Sequence, residues 1–356
     1  MVTAHIHTPG FTTAGGTALL TPIHRFANAL ARRGIQWRVF SRPTRDLVKC
    51  DVLIVDSEMY KSNEQATVLE ALERFRERVP KVVWADTGVS TGMLQNWVLP
   101  YVHAYWKGQA LKDRNLYLRP MYGGRYFTDY YHRYLGIDDA EGQVWPGVDD
   151  VSQLKKIRVS WNAAFVDHTV AEPAWAGPSR GNGRAHVIPA PRLLGRPDQS
   201  RPVGVSARLG RDYPEATLSY QRERIRQQLA GKVPTEPVDR MTYLDEIQDA
   251  KVVVAPFGVG EITPRDFEAF SAGALLLKPV MNIVDTWPPL YTENFTFWAH
   301  NWRVDYLDYL VNGMLEEYHK VVEVAQLGQD RYLGYVRGRR AAELFAKRFL
   351  GLLTQP

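Results

Sequence analysis

The chain has a single cysteine, Cys50, in 356 residues. One thiol excludes an intrachain disulfide framework and a thiolate metal cluster built within the chain. Cys50 lies between Lys49 and the apolar run Val52–Val55 and reads as an inert small residue. Long hydrophobic runs are missing too, since no apolar stretch approaches the ~20 residues of a membrane-spanning helix. The opening MVTAHIHTPG lacks the basic start and apolar core of a secretory signal, so a cytoplasmic location is expected. No aspartate triplet of metal-binding type stands in a convincing loop, because Asp149-Asp150 beside Pro146-Gly147 reads as a turn. The nine histidines include no close helical pair, and His5 and His7 share one face of a strand, where a structural role is the simpler reading. No bound metal is therefore expected. Internal repeats and low-complexity tracts are also lacking. Charge of one sign is nearly balanced, 44 basic against 39 acidic residues, and the net +5 only hints at anionic ligands.

What is present is the composition of a soluble globular protein, 45% hydrophobic and 23% charged, in a chain long enough for two α/β domains. A strand at Ala4–His7 leads through Gly15-Gly16 into a helix with Leu19, Leu20, Ile23, Phe26, Ala27 and Leu30 at helical spacing. Strands at Trp37–Phe40, Val52–Val55 and Val82–Ala85 and a helix over Glu64–Arg78 continue a Rossmann-like order. Between Gly92 and Leu135 the chain is rich in aromatics, including Trp97, Tyr101, Tyr105, Trp106, Tyr117, Tyr122, Tyr126, Phe127, Tyr130, Tyr131 and Tyr134. They fit either a stacking surface for sugars or bases or ordinary core packing. After a strand at Ile157–Trp161, an extended stretch carries Arg180, Arg184, Arg192, Arg196, Arg201, Arg208 and Arg211, with Asp198 as its only acid.

The spacing predicts a first Rossmann-like domain over residues 1–195, a second over 196–335 and a terminal helix over 336–356. The second opens with the strand Val203–Ala207. Next comes a helix over Tyr213–Ala230, whose Arg222, Arg224 and Arg226 point around the axis and read as a solvated surface. A helix over Met241–Ala250, a helical stretch with interruptions over Trp298–Val324 and an amphipathic helix over Arg337–Leu352 complete it.

The densest local signal is Pro256–Pro279, PFGVGEITPRDFEAFSAGALLLKP. Val252–Ala255 is a β-branched strand ended by Phe257-Gly258-Val259-Gly260. Thr263 suits an N-cap, Pro264 the first helical position, and Asp266 a shortened capping box. Gly273 suits the left-handed residue that closes a helix, and Ala274–Lys278 is then a second buried strand. A helix start at the carboxyl edge of a parallel sheet is where anionic ligands bind.

Gly258, Gly260, Glu261, Arg265, Asp266, Phe267, Glu268, Ala269 and Gly273 resemble the donor-binding motif of GT-B glycosyltransferases of the group-1 type. The resemblance implies two Rossmann-like domains facing each other across a cleft, with a C-terminal helix crossing back to the first domain. It also implies transfer of a sugar from a nucleotide-sugar donor, a UDP- or GDP-sugar, with no further cofactor. Glu268 would then bind the nucleotide ribose and Glu261 the transferred sugar. The family commonly separates these glutamates by seven residues, and here six intervene. Arg208, Arg211 and Arg265 would hold the diphosphate through guanidinium forks, and Gly15 and Gly16 would let the backbone approach the donor. Asp86, after the strand Lys81–Ala85, and Glu58, after Val52–Val55, are the candidate bases for the acceptor hydroxyl. That acceptor is either a surface glycan or a hydroxymethylated base in double-stranded DNA, which places the protein in a bacterial or phage-infected cytoplasm. A GT-B-fold nucleotide-sugar epimerase and a non-catalytic nucleotide-sugar binding protein are the alternatives.

Overall fold

The computed structural model describes residues 1–170, 188–210 and 212–355. Arg180, Arg184 and Arg211 lie outside the described residues. Six parallel strands form the first sheet: β1 (Val2–His7), β2 (Ile35–Phe40), β3 (Val52–Asp56), β4 (Lys81–Asp86), β5 (Ala104–Lys107) and the short strand Ile157–Val159, in the order β2-β1-β3-β4-β5 and then Ile157–Val159. Every residue of β3 is buried, as expected of a central strand covered on both faces. The crossovers are α1 (Ala14–Arg25) with α2 (Ala27–Arg32), and α3 (Gln65–Arg76). Pro22 lies near the end of α1, and the chain breaks at Phe26 before resuming as α2. α4 (Tyr126–Leu135) follows β5.

The second sheet has four parallel strands in spatial order Val203–Ser206, Ala250–Val254, Leu275–Pro279 and Trp298–His300. Its helices are α5 (Ala216–Leu229), α6 (Arg240–Asp249), α7 (Pro264–Ala272), α8 (Leu307–Glu316) and α9 (Tyr318–Val336). Two parallel sheets with crossover helices make two Rossmann-like domains, the architecture expected of a GT-B chain. The final helix, α10 (Gly338–Thr354), returns to the first sheet. There Phe345 packs on Phe26 at 5.7 Å and on Trp161 at 5.1 Å, and the Lys81 ammonium donates to the carbonyls of Leu352 and Leu353 at 3.2 and 3.1 Å.

Several expectations are corrected. Trp298–His300 is the fourth strand of the second sheet and not the start of a helix, its backbone bonds being taken up by Leu277–Pro279. The aromatic segment is core packing in the main, since Tyr105, Trp106, Phe127 and Tyr131 are all buried while Tyr134 is exposed. Arg222 is not a surface residue. It is buried, its guanidinium donates to the carbonyls of Leu209 and Phe257, and it stacks on Tyr213 at 4.5 Å. Arg201 behaves similarly, donating to the carbonyls of Ala250 and Arg196 at 2.7 Å and to that of Ala272. His5 and His7 are buried and bonded to the carbonyls of Leu47 and Phe40. Burial pushes the Cys50 thiol up to about 11, consistent with an inert residue.

His300, at the end of the fourth strand, gives the fold an acid sensitivity. Its Nδ1–H donates to the Asn301 carbonyl at 2.8 Å, while Nε2 is buried with no partner. Burial pulls its pKa down to about 4. The unfolded chain, with histidine near 6.5, binds this proton first, so folding stability is present above about pH 6.5 and is lost as pH falls towards 4. About 3 kcal/mol is at stake. A His300→Asn variant should show a flatter fall in melting temperature between pH 6.5 and 4.5 than the parent chain; parallel profiles would refute this.

Candidate active site

The local rules place α7 as its sequence suggests. Thr263 is extended (φ −123°, ψ 158°), Pro264 fills the first position, and Gly273 closes the helix at φ 72° with its N–H on Ala269 and Phe270. One detail differs: the Thr263 hydroxyl does not cap a backbone N–H but bonds the Asp266 carboxylate at 3.1 Å. Asp266 is occupied further by the buried ammonium of Lys278 and by the Tyr291 hydroxyl at 2.7 Å. This polar knot anchors α7 from beneath and fixes the place of its N-terminus, where Pro264 has no N–H and the Asp266 N–H bonds the Thr263 carbonyl at 3.1 Å.

Two cavities adjoin that helix start. The first, about 430 Å³, lies beyond the carboxyl ends of β4 and β5 and is lined by Gly15, Asp86, Thr87, Trp106, Trp161, Phe267 and Glu268 among others. The second, about 560 Å³, belongs to the second sheet and is lined by Arg208, Arg222, Arg240, Tyr243, Gly258, Gly260, Arg265 and Glu268 among others. Val89, Arg240, Ile262, Thr263, Pro264 and Glu268 are walls of both. The second cavity gathers four arginines against one carboxylate in its lining, an environment suited to an anion beside a helix N-terminus.

The expected site residues among the described ones fall into four groups. Gly15 and Asp86 reach the first cavity, Arg208, Gly258, Gly260 and Arg265 the second, and Glu268 both. Glu58, Glu261 and Gly16 line neither cavity. Gly16 is buried and its N–H bonds the Thr13 hydroxyl, and a Cβ there would strike the Gly10 carbonyl. Glu58 is half-shielded and 3.6 Å from Lys61. Glu261 is fully buried, and its carboxylate accepts from the Thr91 N–H at 2.9 Å and the Thr91 hydroxyl at 2.5 Å. Burial raises its pKa, and the Thr91 bonds oppose that rise. Here Glu261 joins the two domains.

Asp86 is a well-held carboxylate. Oδ2 accepts from the Lys107 ammonium at 2.7 Å and the Tyr105 hydroxyl at 2.6 Å, and Oδ1 from the Gly88 N–H at 2.9 Å. Arg208 forks onto Glu246 at 2.7 to 3.2 Å, and its carbonyl accepts from Arg265. Glu268, almost wholly buried, pairs with Arg240 at 2.9 Å. Arg240 is the main residue the sequence reading passed over. It stands at the first position of α6, just after the N-cap Asp239, and also donates to the carbonyl of His168. The predicted helix began one residue later, at Met241, and so left it out. Tyr243 is a second omission, buried in the wall with an unpartnered hydroxyl. Among the described residues, no group of three or more His, Cys, Asp or Glu side chains could hold a metal ion.

No protein-family model matches the chain, and no curated protein matches it. Among solved structures it is similar to Alr3699/HepE of Anabaena in complex with UDP and glucose, at 10% identity over 100% of both chains and a TM-score of 0.48. It is also similar to an alpha-glucosyltransferase in complex with UDP and a 13-mer DNA containing a HMU base, at 8% identity over 99% of each chain and a TM-score of 0.46. A third is MnaA of S. aureus with UDP, at 10% identity, 100% and 98% coverage and a TM-score of 0.40. Likeness at this level says nothing about activity, and the fold stands on the strand order itself.

The two domains meet through close backbone contact. A Cβ at Gly260 would collide with the Val89 carbonyl, Arg125 donates to the Val259 carbonyl at 2.6 Å, and Thr91 holds Glu261. Gly260→Ala is therefore expected to push the loops apart, raising the radius of gyration in small-angle scattering and lowering the melting temperature by several degrees. Identical scattering and melting would contradict this contact.

Proposed function

We propose that this chain transfers a sugar from a nucleotide-sugar donor, held in the second cavity, to an acceptor hydroxyl presented from the first. The observation that carries the reading is the meeting of the two cavities at Glu268, beside the start of α7 and beyond the carboxyl ends of both sheets. Glu268 accepts from the ribose hydroxyls. Arg265 and the positive end of the α7 dipole face the diphosphate, whose charge grows as the bond to the sugar breaks. Arg208, already forked onto Glu246, sets the carbonyl that orients Arg265. Asp86 is a carboxylate in the wall of the first cavity, and Glu58 and Glu261 act through structure.

In the reaction the acceptor oxygen bonds the anomeric carbon, the bond from that carbon to the diphosphate oxygen breaks, and the hydroxyl proton leaves with the released nucleoside diphosphate or to Asp86. The acceptor is a surface glycan or a hydroxymethylated DNA base. Incubation with labelled UDP-, GDP-, ADP- and CMP-sugars tests the reading: labelled acceptor or released nucleoside diphosphate supports it. Epimerised donor without transfer, or no binding of any donor in a thermal-shift screen, overturns it. Oligonucleotide affinity that falls steeply with salt selects the DNA acceptor.

A further inference from the structure

The four arginines in the wall of the second cavity are largely committed to the protein itself. Arg208 forks onto Glu246 and gives Nη1 to the Glu236 carbonyl at 3.2 Å. Arg240 pairs with Glu268 and donates to the His168 carbonyl, and Arg265 spends one end on the Arg208 carbonyl. Arg222 ties two loops together, with Nε on the Leu209 carbonyl at 3.2 Å and Nη1 on the Phe257 carbonyl at 3.0 Å. The cavity therefore has more positive charge than it has N–H groups left to offer a ligand.

Tyr213, another wall of this cavity, is placed differently. It stands just before α5 and is fixed by Ser219, whose hydroxyl accepts from its N–H at 3.0 Å and donates to its carbonyl at 2.9 Å. Its ring stacks on the Arg222 guanidinium, and its hydroxyl oxygen accepts from Arg222 Nη2 at 3.4 Å. An oxygen that accepts from a cation keeps its own O–H to donate. The two bonds from Arg222 to carbonyls are buried, whereas its bond to the half-buried Tyr213 is partly open. The hydroxyl also lies against the glycine loop beside α7. A Cβ at Gly258 would stand 3.2 Å from it and 3.5 Å from the methyl of Thr263, the residue that precedes the helix. Tyr213 thus flanks the same piece of loop as the positive end of the α7 dipole.

We propose that Tyr213 is a further catalytic residue, its hydroxyl donating to the diphosphate of the nucleotide sugar while Arg222 behind it supplies the charge. The proposal rests on the transferase reading of this site. Diphosphate oxygens only accept hydrogen bonds, and a hydroxyl backed by a cation is a donor held ready for them. The phenol keeps its proton throughout. The bond from the anomeric carbon to the diphosphate oxygen breaks with both electrons left on that oxygen, and the hydrogen bond strengthens as this charge grows.

Tyr213→Phe tests the assignment, because it removes the hydroxyl and keeps the ring stacked on Arg222. Calorimetric titration of the full chain with UDP, GDP and ADP first identifies the diphosphate that the parent binds, and the matching nucleoside is then measured by displacing it. In the variant the diphosphate should bind about tenfold more weakly, the low end for a hydrogen bond to a charged group, because Arg222 Nη2 then faces the vacated space and keeps part of the attraction. The nucleoside should bind within about twofold of the parent, and the melting midpoint should move by less than about 3 °C. Diphosphate affinity within about twofold of the parent, or equal weakening of diphosphate and nucleoside, overturns the proposal. Collapse of the melt assigns the hydroxyl to the fold and overturns it too. If none of the three diphosphates binds the parent, the transferase reading itself falls; binding that Tyr213→Phe leaves untouched removes Tyr213 alone.

Discussion

Glu268→Ala is expected to weaken the binding of UDP and of the matching nucleotide sugar about 10- to 100-fold. That is the range for loss of a buried charged acceptor contributing about 1.5–3 kcal/mol. The carboxylate is nearly wholly buried, borders both cavities and is held in one orientation by Arg240 at 2.9 Å. Pre-orientation matters because a ligand then spends none of its binding energy in ordering the side chain. The fold should survive, since Arg240 is about a third exposed and water can take over its free donors. Calorimetric titration with UDP, run beside a thermal melt, decides the matter. An unchanged dissociation constant would remove Glu268 from the donor site, and collapse of the melt would show a structural role instead. Arg240→Ala sharpens the result: the glutamate remains but loses its positioning, and a smaller drop, about three- to tenfold, is expected.

Lys278→Met should lower the melting temperature by on the order of 10 °C. The ammonium is fully buried, pairs with Asp266 and donates to the Glu261 carbonyl at 2.8 Å. Removing it leaves the Asp266 carboxylate buried with only the hydroxyls of Tyr291 and Thr263 as partners. Breaking a buried pair on one side costs about 3–5 kcal/mol, and each kcal/mol moves the midpoint by about 2–4 °C in domains of this size. Replacing both partners, as Lys278→Met with Asp266→Leu, should recover most of the loss, because burying two apolar groups is no worse than burying an ion pair. A single variant melting within 3 °C of the parent would show that Asp266 finds compensation elsewhere.

The parts of the molecule that could be read from sequence are those set by local rules. The start and end of α7, the strands flanking it and the returning amphipathic helix α10 follow from Pro264, Gly273 and apolar spacing. Glycine placement was informative where the backbone is crowded, as at Gly260 against Val89. What sequence could not convey is which polar groups cancel one another across long chain separations. Glu261 looked like a ligand contact because the motif supplied a role, yet its partner Thr91 is 170 residues away. Arg222 reads as solvated because its neighbours on α5 are charged, whereas the carbonyls of Leu209 and Phe257 and the ring of Tyr213 enclose it from outside the helix. Trp298–His300 was misread because three residues carry no distinguishable period, and the pairing that makes them a strand lies with Leu277–Pro279.

Val89 is wall to both chambers, and its carbonyl sits on Gly260 of the opposite domain. A shared partition makes occupancy of one side a matter for the other. Any ligand that displaces this loop changes the shape offered to its co-substrate, so the two dissociation constants become linked by one coupling free energy, equal in both directions.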